Sequence, residues 1–310
     1  MPEKNTSLLT GGLIVFAGAV LFSTKAIFVK LAYRYEVDAV SLLALRMLFS
    51  LPFFLLAAAW AGWGIPLRRR DIGYIALLGV LGYYGASILD FWGLQFINAT
   101  LERLILFAYP TIVVIVSAWR TRTAIAQNQK IALSLTYLGI LLAFWGDFQL
   151  SASPQMLWGS LLVFGAAIAY ALYLVGSGAM IPRLGSVRFN ALALTGASLG
   201  ILLHAFLANG LNIFHFAPEV YWHSLGMALL ATVAASFLIS AGIGRIGAGN
   251  TAIISSIGPI STIVLASIFL DESIGLYQIL GTVFVMGGVL MISLSKSAPL
   301  PRPDSMLLKH

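Results

Sequence analysis

Apolar residues fall in runs of about 20, separated by short polar stretches, and one such run is what an α-helix needs to cross a hydrocarbon core. Ten runs are predicted to span a membrane: residues 11–33, 40–60, 72–97, 99–118, 130–147, 156–178, 188–208, 222–244, 248–269 and 273–294. The fifth is the shortest, and the turn between the third and fourth is tight. The first exceeds the 7–15 residues of a signal-peptide core. No small-residue cleavage site follows it, so it reads as a retained helix. The predicted fold class is an all-α polytopic membrane protein.

The runs repeat. Gly93 and Gly242, Pro110 and Pro259, and Gly139 and Gly288 are each 149 residues apart. Near the start of each half, "LIVFAGA" at 13–19 matches "LLVFGAA" at 161–167, an offset of 148. The chain therefore divides into a first repeat, 11–147, a second, 156–294, and a C-terminal tail, 295–310. Each repeat holds five helices. Five is odd, so the second repeat enters the membrane upside down. Inverted repeats are a transporter architecture, with the substrate site near the midplane between halves.

Composition supports this picture. The chain is 60% hydrophobic and 9% charged, against about 25% charged in soluble domains, so it has too few charges to cover a water-facing surface. There is no cysteine, which removes disulfides and thiolate metal sites. The net charge of +7 reports topology rather than nucleic-acid binding. With the N-terminus inside, twelve basic residues fall in cytoplasmic segments and three (Lys30, Arg34, Arg245) at outer ends. That bias follows the positive-inside rule and predicts an inner-membrane protein with both termini cytoplasmic.

The chemistry is concentrated in the first repeat. Lys25, Arg46, Asp90, Glu102 and Arg103 all fall in the outer half of the bilayer. Facing lipid, five charges cost about 15 kcal/mol at roughly 3 kcal/mol each, so most must pair or sit in water. They read either as an outer gate or as a salt-bridge cluster holding helices together. Glu102 and Arg103 lie near a helix end, where snorkelling or complementing the helix dipole also accounts for them. Lys25 is too deep to snorkel. With Phe22 one turn before it, it reads as a site that favours a carboxylate or phosphate over an organic cation, or as a buried partner of Asp90. Asp90 shares a helical face with Tyr83 and Ser87. Tyr109, Tyr170, Tyr173, Ser236 and Ser255 complete the expected substrate-binding set, although small and hydroxyl residues also simply pack membrane helices. Pro110 and Pro259 free the carbonyls of Leu106 and Ser255, and are expected to kink their helices as hinges, with Glu102 and Arg103 as gate residues.

These residues resemble a known family. "ALRMLFSLPFF" in the second helix, "LILFAYPTIVVIVSAW" in the fourth, and "IISSIGPISTIVLASIFLDESIGLYQILGTVFVMGGVLMI" near the end are similar to segments of EamA-type members of the drug/metabolite transporter superfamily. The likeness covers residues 11–294 and includes the acidic turn Asp271–Glu272. The first repeat departs from it, with "WRTRTA" where the second has "FLDESI". The resemblance implies alternating-access export of small metabolites, amino acids first. The expected partners are a zwitterionic or carboxylated small molecule and the lipid bilayer. No cofactor or metal is implied. A phosphate-ester or organic-cation transporter of the same fold remains an alternative. A hydrolase built on "GASLG" (196–200) is disfavoured, because that motif needs a strand–turn–helix elbow and here sits inside a helix.

Overall fold

The computed structural model describes residues 2–61, 67–150, 153–178, 180–210 and 215–294; the predicted C-terminal tail lies outside them. Among the described residues, ten helices are long and apolar enough to cross a membrane. The chain is a multi-pass membrane protein. Large apolar side chains such as Leu56, Leu207 and Trp119 stay exposed on the outside of the bundle, the arrangement a lipid solvent allows.

Polar residues at helix starts set several boundaries. α1 (Pro2–Tyr33) is followed by α2 (Ala39–Trp60), whose N-cap Asp38 accepts from the amides of Val40 and Ser41. The third span opens as α3 (Arg69–Leu78), widens to a π-helix over Gly79–Gly85, and closes as α4 (Ala86–Gly93). The fourth is split into α5 (Ala99–Leu106) and α6 (Tyr109–Thr121). α7 (Gln127–Leu150) ends the first repeat.

The second repeat begins with α8 (Pro154–Ser177), capped by Ser153 and started by a proline that has no amide to leave orphaned. The short α9 (Ile181–Leu184) and α10 (Ser186–Asn209) follow. Next come α11 (Pro218–Gly226), a second π-helix over Met227–Ala234, and α12 (Ala235–Ser255). α13 (Gly258–Leu270) and α14 (Leu276–Leu294) complete the bundle.

The repeat seen in the sequence is a repeat of irregularities too. The two π-helices start at Gly79 and Met227, 148 residues apart. Arg122 and Asp271, 149 apart, both end their helices in the left-handed conformation. Helices pair across the repeats: α2 with α10, α7 with α14, α4 with α8, and α1 with α12. At α7–α14 the pairing is itself two-fold. A β-carbon on Gly139 would lie 2.6 Å from the Gly281 carbonyl oxygen, and one on Gly288 would lie 2.6 Å from that of Ala132. Small residues let backbones approach in this way when no hydrophobic force drives helices together.

Two expectations change. The prolines do not bend continuous helices. Each sits in the first turn of a new one, α6 or α13, after a break at Phe107–Ala108 or Ser256–Ile257. Proline cannot donate an amide, so the break is placed where none is needed. The eighth and ninth runs, predicted as 222–244 and 248–269, are not divided by a loop near residue 246, because helical structure continues through α12 to Ser255. The glycines of 242–249 weaken a helix but still permit it.

Gly139→Leu is expected to destabilise the fold by at least about 1–3 kcal/mol, the usual cost of overpacking. The neighbour is backbone and has no rotamer to yield. Thermal unfolding in detergent measures this; an unchanged midpoint would show that the close approach of α7 and α14 is not required.

Candidate functional site

The turn between the third and fourth spans brings the acids together. Asn98 accepts from the Leu101 amide at 2.7 Å. From the other repeat, Glu272 accepts from the amides of Ala99 and Thr100 at 2.7 and 3.1 Å and from the Thr100 hydroxyl at 2.8 Å. The first-turn donors of α5 are thus met by two other side chains. Glu102, expected to serve there or to snorkel, does neither. It is fully buried and turned inward.

Its partner is Lys25. The Lys25 ammonium donates to Asp90 Oδ2 at 2.5 Å and to Glu102 Oε1 at 3.0 Å. All three side chains are 7% exposed or less. The pairing weighed for Lys25 with Asp90 is therefore present, and Glu102 joins it. Each carboxyl keeps one oxygen, Asp90 Oδ1 and Glu102 Oε2, without a hydrogen-bond partner among the described residues.

Both arginines lack an acid. Among the described residues neither Arg46 nor Arg103 forms an ion pair. Arg46 donates from Nε to the Thr232 hydroxyl at 2.8 Å. Arg103 lies between two aromatic faces, 5.0 Å from the Phe22 ring centre and 5.3 Å from that of Phe107. Its Nε has no partner among the described residues. Gly258, just before Pro259, gives it room, since a β-carbon there would lie 2.5 Å from Nη2. Burial at 5% exposure excludes snorkelling for Arg103.

These groups surround a cavity of about 180 Å³, small beside the roughly 300–1,000 Å³ of drug-sized sites. Lys25, Arg46, Asp90 and Arg103 line it, and Phe22, Phe107, Tyr83, Tyr109 and Tyr170 supply aromatic walls. Tyr109 meets Tyr170 edge-on at 5.0 Å. Both helix breaks reach the cavity: Leu106 and Ser255, the residues whose carbonyls the prolines release, are in its lining. The first π-helix delivers Tyr83, and the second delivers Thr232 to Arg46. Past Lys25 on α1 and Asp90 on α4 lies a second, more open depression lined by Lys30, Tyr33, Arg34 and Gln95. The Lys25 cluster stands between the two.

Eight of the ten sequence-chosen substrate residues line the cavity: Phe22, Lys25, Tyr83, Ser87, Asp90, Tyr109, Tyr170 and Ser255. Tyr173 and Ser236 do not. Tyr173 packs on Tyr83 and donates to Asn190 at 2.9 Å, and the Ser236 hydroxyl turns back to the Val233 carbonyl at 3.0 Å. Arg46, which is outside the expected substrate-binding set, also lines the cavity. Its signal was an arginine with no acid one turn away on its own helix. Ser198 of "GASLG" donates to its own helix at Leu194, at 2.7 Å.

Known proteins agree with the architecture. The profile of the EamA-like transporter family matches residues 9–145 and 157–294. The chain is 30% identical over 296 residues to the uncharacterized transporter YcbK of Bacillus subtilis (strain 168), covering 94% of this chain and 93% of that one. It is 24% identical over 238 residues to the uncharacterized inner membrane transporter YicL of Salmonella typhimurium (strain LT2), covering 75% and 76%. A solved structure named only "Crystal structure of protein" matches with a TM-score of 0.65 at 16% identity, over 92% of this chain and 98% of that one, a likeness of fold.

Removing Lys25 leaves two buried carboxyls without their ammonium. Lys25→Met is expected to cost about 3–5 kcal/mol, as when one partner of a buried pair is lost. Adding Asp90→Asn and Glu102→Gln should restore most of the loss. Unfolding midpoints of the single and triple variants decide it; a Lys25→Met protein as stable as the parent contradicts a structural role for the cluster.

Proposed function

Because the chain belongs to the EamA-like transporter family, we propose that its cavity carries small carboxylated metabolites, amino acids foremost, out of the cell by alternating access. One observation carries this reading. Arg103 is buried, lines the cavity and has no acid of its own among the described residues. A guanidinium so placed favours an anion, and a carboxylate matches its fork. Arg46 adds a second positive wall. The Phe22 and Phe107 rings hold Arg103 by cation–π contact without neutralising it.

Asp90 completes a zwitterion site. Its Oδ2 is engaged by Lys25 and its Oδ1 is open to an ammonium group. The two arginines also suit a phosphate ester. The acids beside them oppose a dianion and favour a substrate with a positive group of its own. An organic cation without a carboxylate would face both arginines unpaired. Lys25 acts here through the acids it orients and as part of the cavity wall.

The topology follows the charges. With twelve basic residues assigned to one side and three to the other, both termini are cytoplasmic. The Lys25 cluster then closes the cavity on its outer side, and the two helix breaks provide the bending points for opening it. A reporter fused after Arg70 should read as internal; an external signal would invert the assignment.

The substrate reading is tested by counterflow in proteoliposomes with L-leucine, L-phenylalanine, L-threonine, a triose phosphate and a quaternary ammonium dye. Saturable exchange of amino acids is expected. Arg103→Gln should raise the KM for them about 10- to 100-fold, the worth of a hydrogen bond to a charged group. Exchange of the dye alone, or an unchanged KM in the variant, would refute the carboxylate site.

A further inference from the structure

Positive charge outweighs negative around the cavity. Lys25, Arg46, Arg103 and Asp90 line it, and Glu102 adjoins it through Lys25. Three cations thus stand against two carboxyls, an excess of one positive charge. A proton taken up by either acid would only enlarge that excess. All five side chains are on residues 5% exposed or less, and a buried charge without a counter-ion is costly. Neighbouring acids do not cancel it. Glu272, the other acid that reaches α5, is held at its first turn, and Asp147 is engaged by Gln278 at 2.6 Å. Lys30 and Arg34, in the outer depression, add charge of the same sign.

The excess is divided between two guanidinium groups on different helices. Arg103 of α5 is packed between the Phe22 and Phe107 rings. Arg46 of α2 donates from Nε to Thr232 at 2.8 Å and lies 5.6 Å from the Phe91 ring centre. Neither meets a carboxylate at ion-pair distance among the described residues. Asp90 acts electrostatically on both and keeps Oδ1 without a partner among the described residues. The rings of the wall are engaged already: Phe22 and Phe107 with Arg103, Tyr109 with Tyr170, and Tyr83 with Tyr173 at 4.9 Å. Charge is what the cavity leaves open for recognition.

We infer that the preferred substrate is an amino dicarboxylate, with one carboxylate on Arg103, the second on Arg46 and the ammonium group at Asp90 Oδ1. This rests on the carboxylate reading of the same cavity and narrows it. Such a molecule carries two negative charges and one positive, and its net negative charge brings the site to neutrality. A neutral amino acid leaves one guanidinium without an anion. A monocarboxylate without an amino group matches the net charge but leaves Arg46 and Asp90 Oδ1 unmet. A dicarboxylate without an amino group leaves Asp90 Oδ1 unmet and exceeds the charge required. The cavity volume of about 180 Å³ limits the molecule to a short chain, such as that of aspartate or glutamate.

Counterflow in proteoliposomes tests this with L-aspartate and L-glutamate against L-asparagine and L-glutamine, which match them in shape and lack the second charge. At least one acid should show a KM about 10- to 100-fold below that of its amide, the ratio expected for a hydrogen bond to a charged group. Arg46→Gln should bring acid and amide to similar KM values. Arg46→Lys, which keeps the charge without the fork, should retain part of the preference. Equal KM values within both pairs in the wild type overturn the assignment, as does a preference that survives Arg46→Gln. In either case exchange of glutamine or leucine would still support the carboxylate site at Arg103. If none of these amino acids exchanges, the broader reading falls and this one with it. The wild-type comparison needs no variant, so it decides even if Arg46→Gln does not fold.

Discussion

The centre of this protein is organised around the cost of burying an ammonium group within a membrane-spanning helix. Lys25 sits within α1, and its charge must be met inside the protein. Two carboxyls meet it, one from the end of the third span and one from the start of the fourth. To put them there, the chain must turn tightly between Gly93 and Ala99. To leave Glu102 free, the exposed amides of α5 must find other acceptors. Asn98 and Glu272 take them. One buried charge thus accounts for a turn, a cap and a contact between the repeats.

Much of this was legible in the sequence because a membrane simplifies the code. Ten apolar runs gave ten spans, and boundaries moved mainly where glycine tolerated more helix than expected, as in α12. The offset of 148–149 residues placed the prolines, the close-packed glycines and the two halves. Spacing on one helical face grouped Tyr83, Ser87 and Asp90, and all three line the cavity. What could not be read depends on rotation between helices. Tyr173 and Tyr170 differ by three positions on α8, yet only Tyr170 reaches the cavity, because Tyr173 is drawn toward Asn190. Nor did any local pattern announce the π-helices over Gly79–Gly85 and Met227–Ala234. They turn Tyr83 toward the cavity and Thr232 toward Arg46.

The split helices give the prolines a different meaning from a simple kink. A kink deforms one rod, whereas a break makes two, each with its own ends. Partial positive charge gathers at the start of α6 and of α13, as at any helix N-terminus. The Phe107 ring at one break and Gly258 at the other both touch Arg103. Any displacement of either short helix is therefore felt by the same guanidinium.

The repeats share a scaffold but not its chemistry. At the offset of 148, Lys25, Arg46 and Asp90 correspond to Tyr173, Leu194 and Leu238; at 149, Glu102 and Arg103 correspond to Thr251 and Ala252. The halves are thus alike in shape and not interchangeable. A protein built from two copies of the first would bring ten charged side chains to the centre of the bundle, and one built from two copies of the second would bring none of these five. The two copies share the split helices, the π-helices and the left-handed helix ends. All the charge in the cavity lining comes from the first repeat, while the second contributes Tyr170, Ile239 and Ser255, so the two halves present different chemistry to a molecule lying between them.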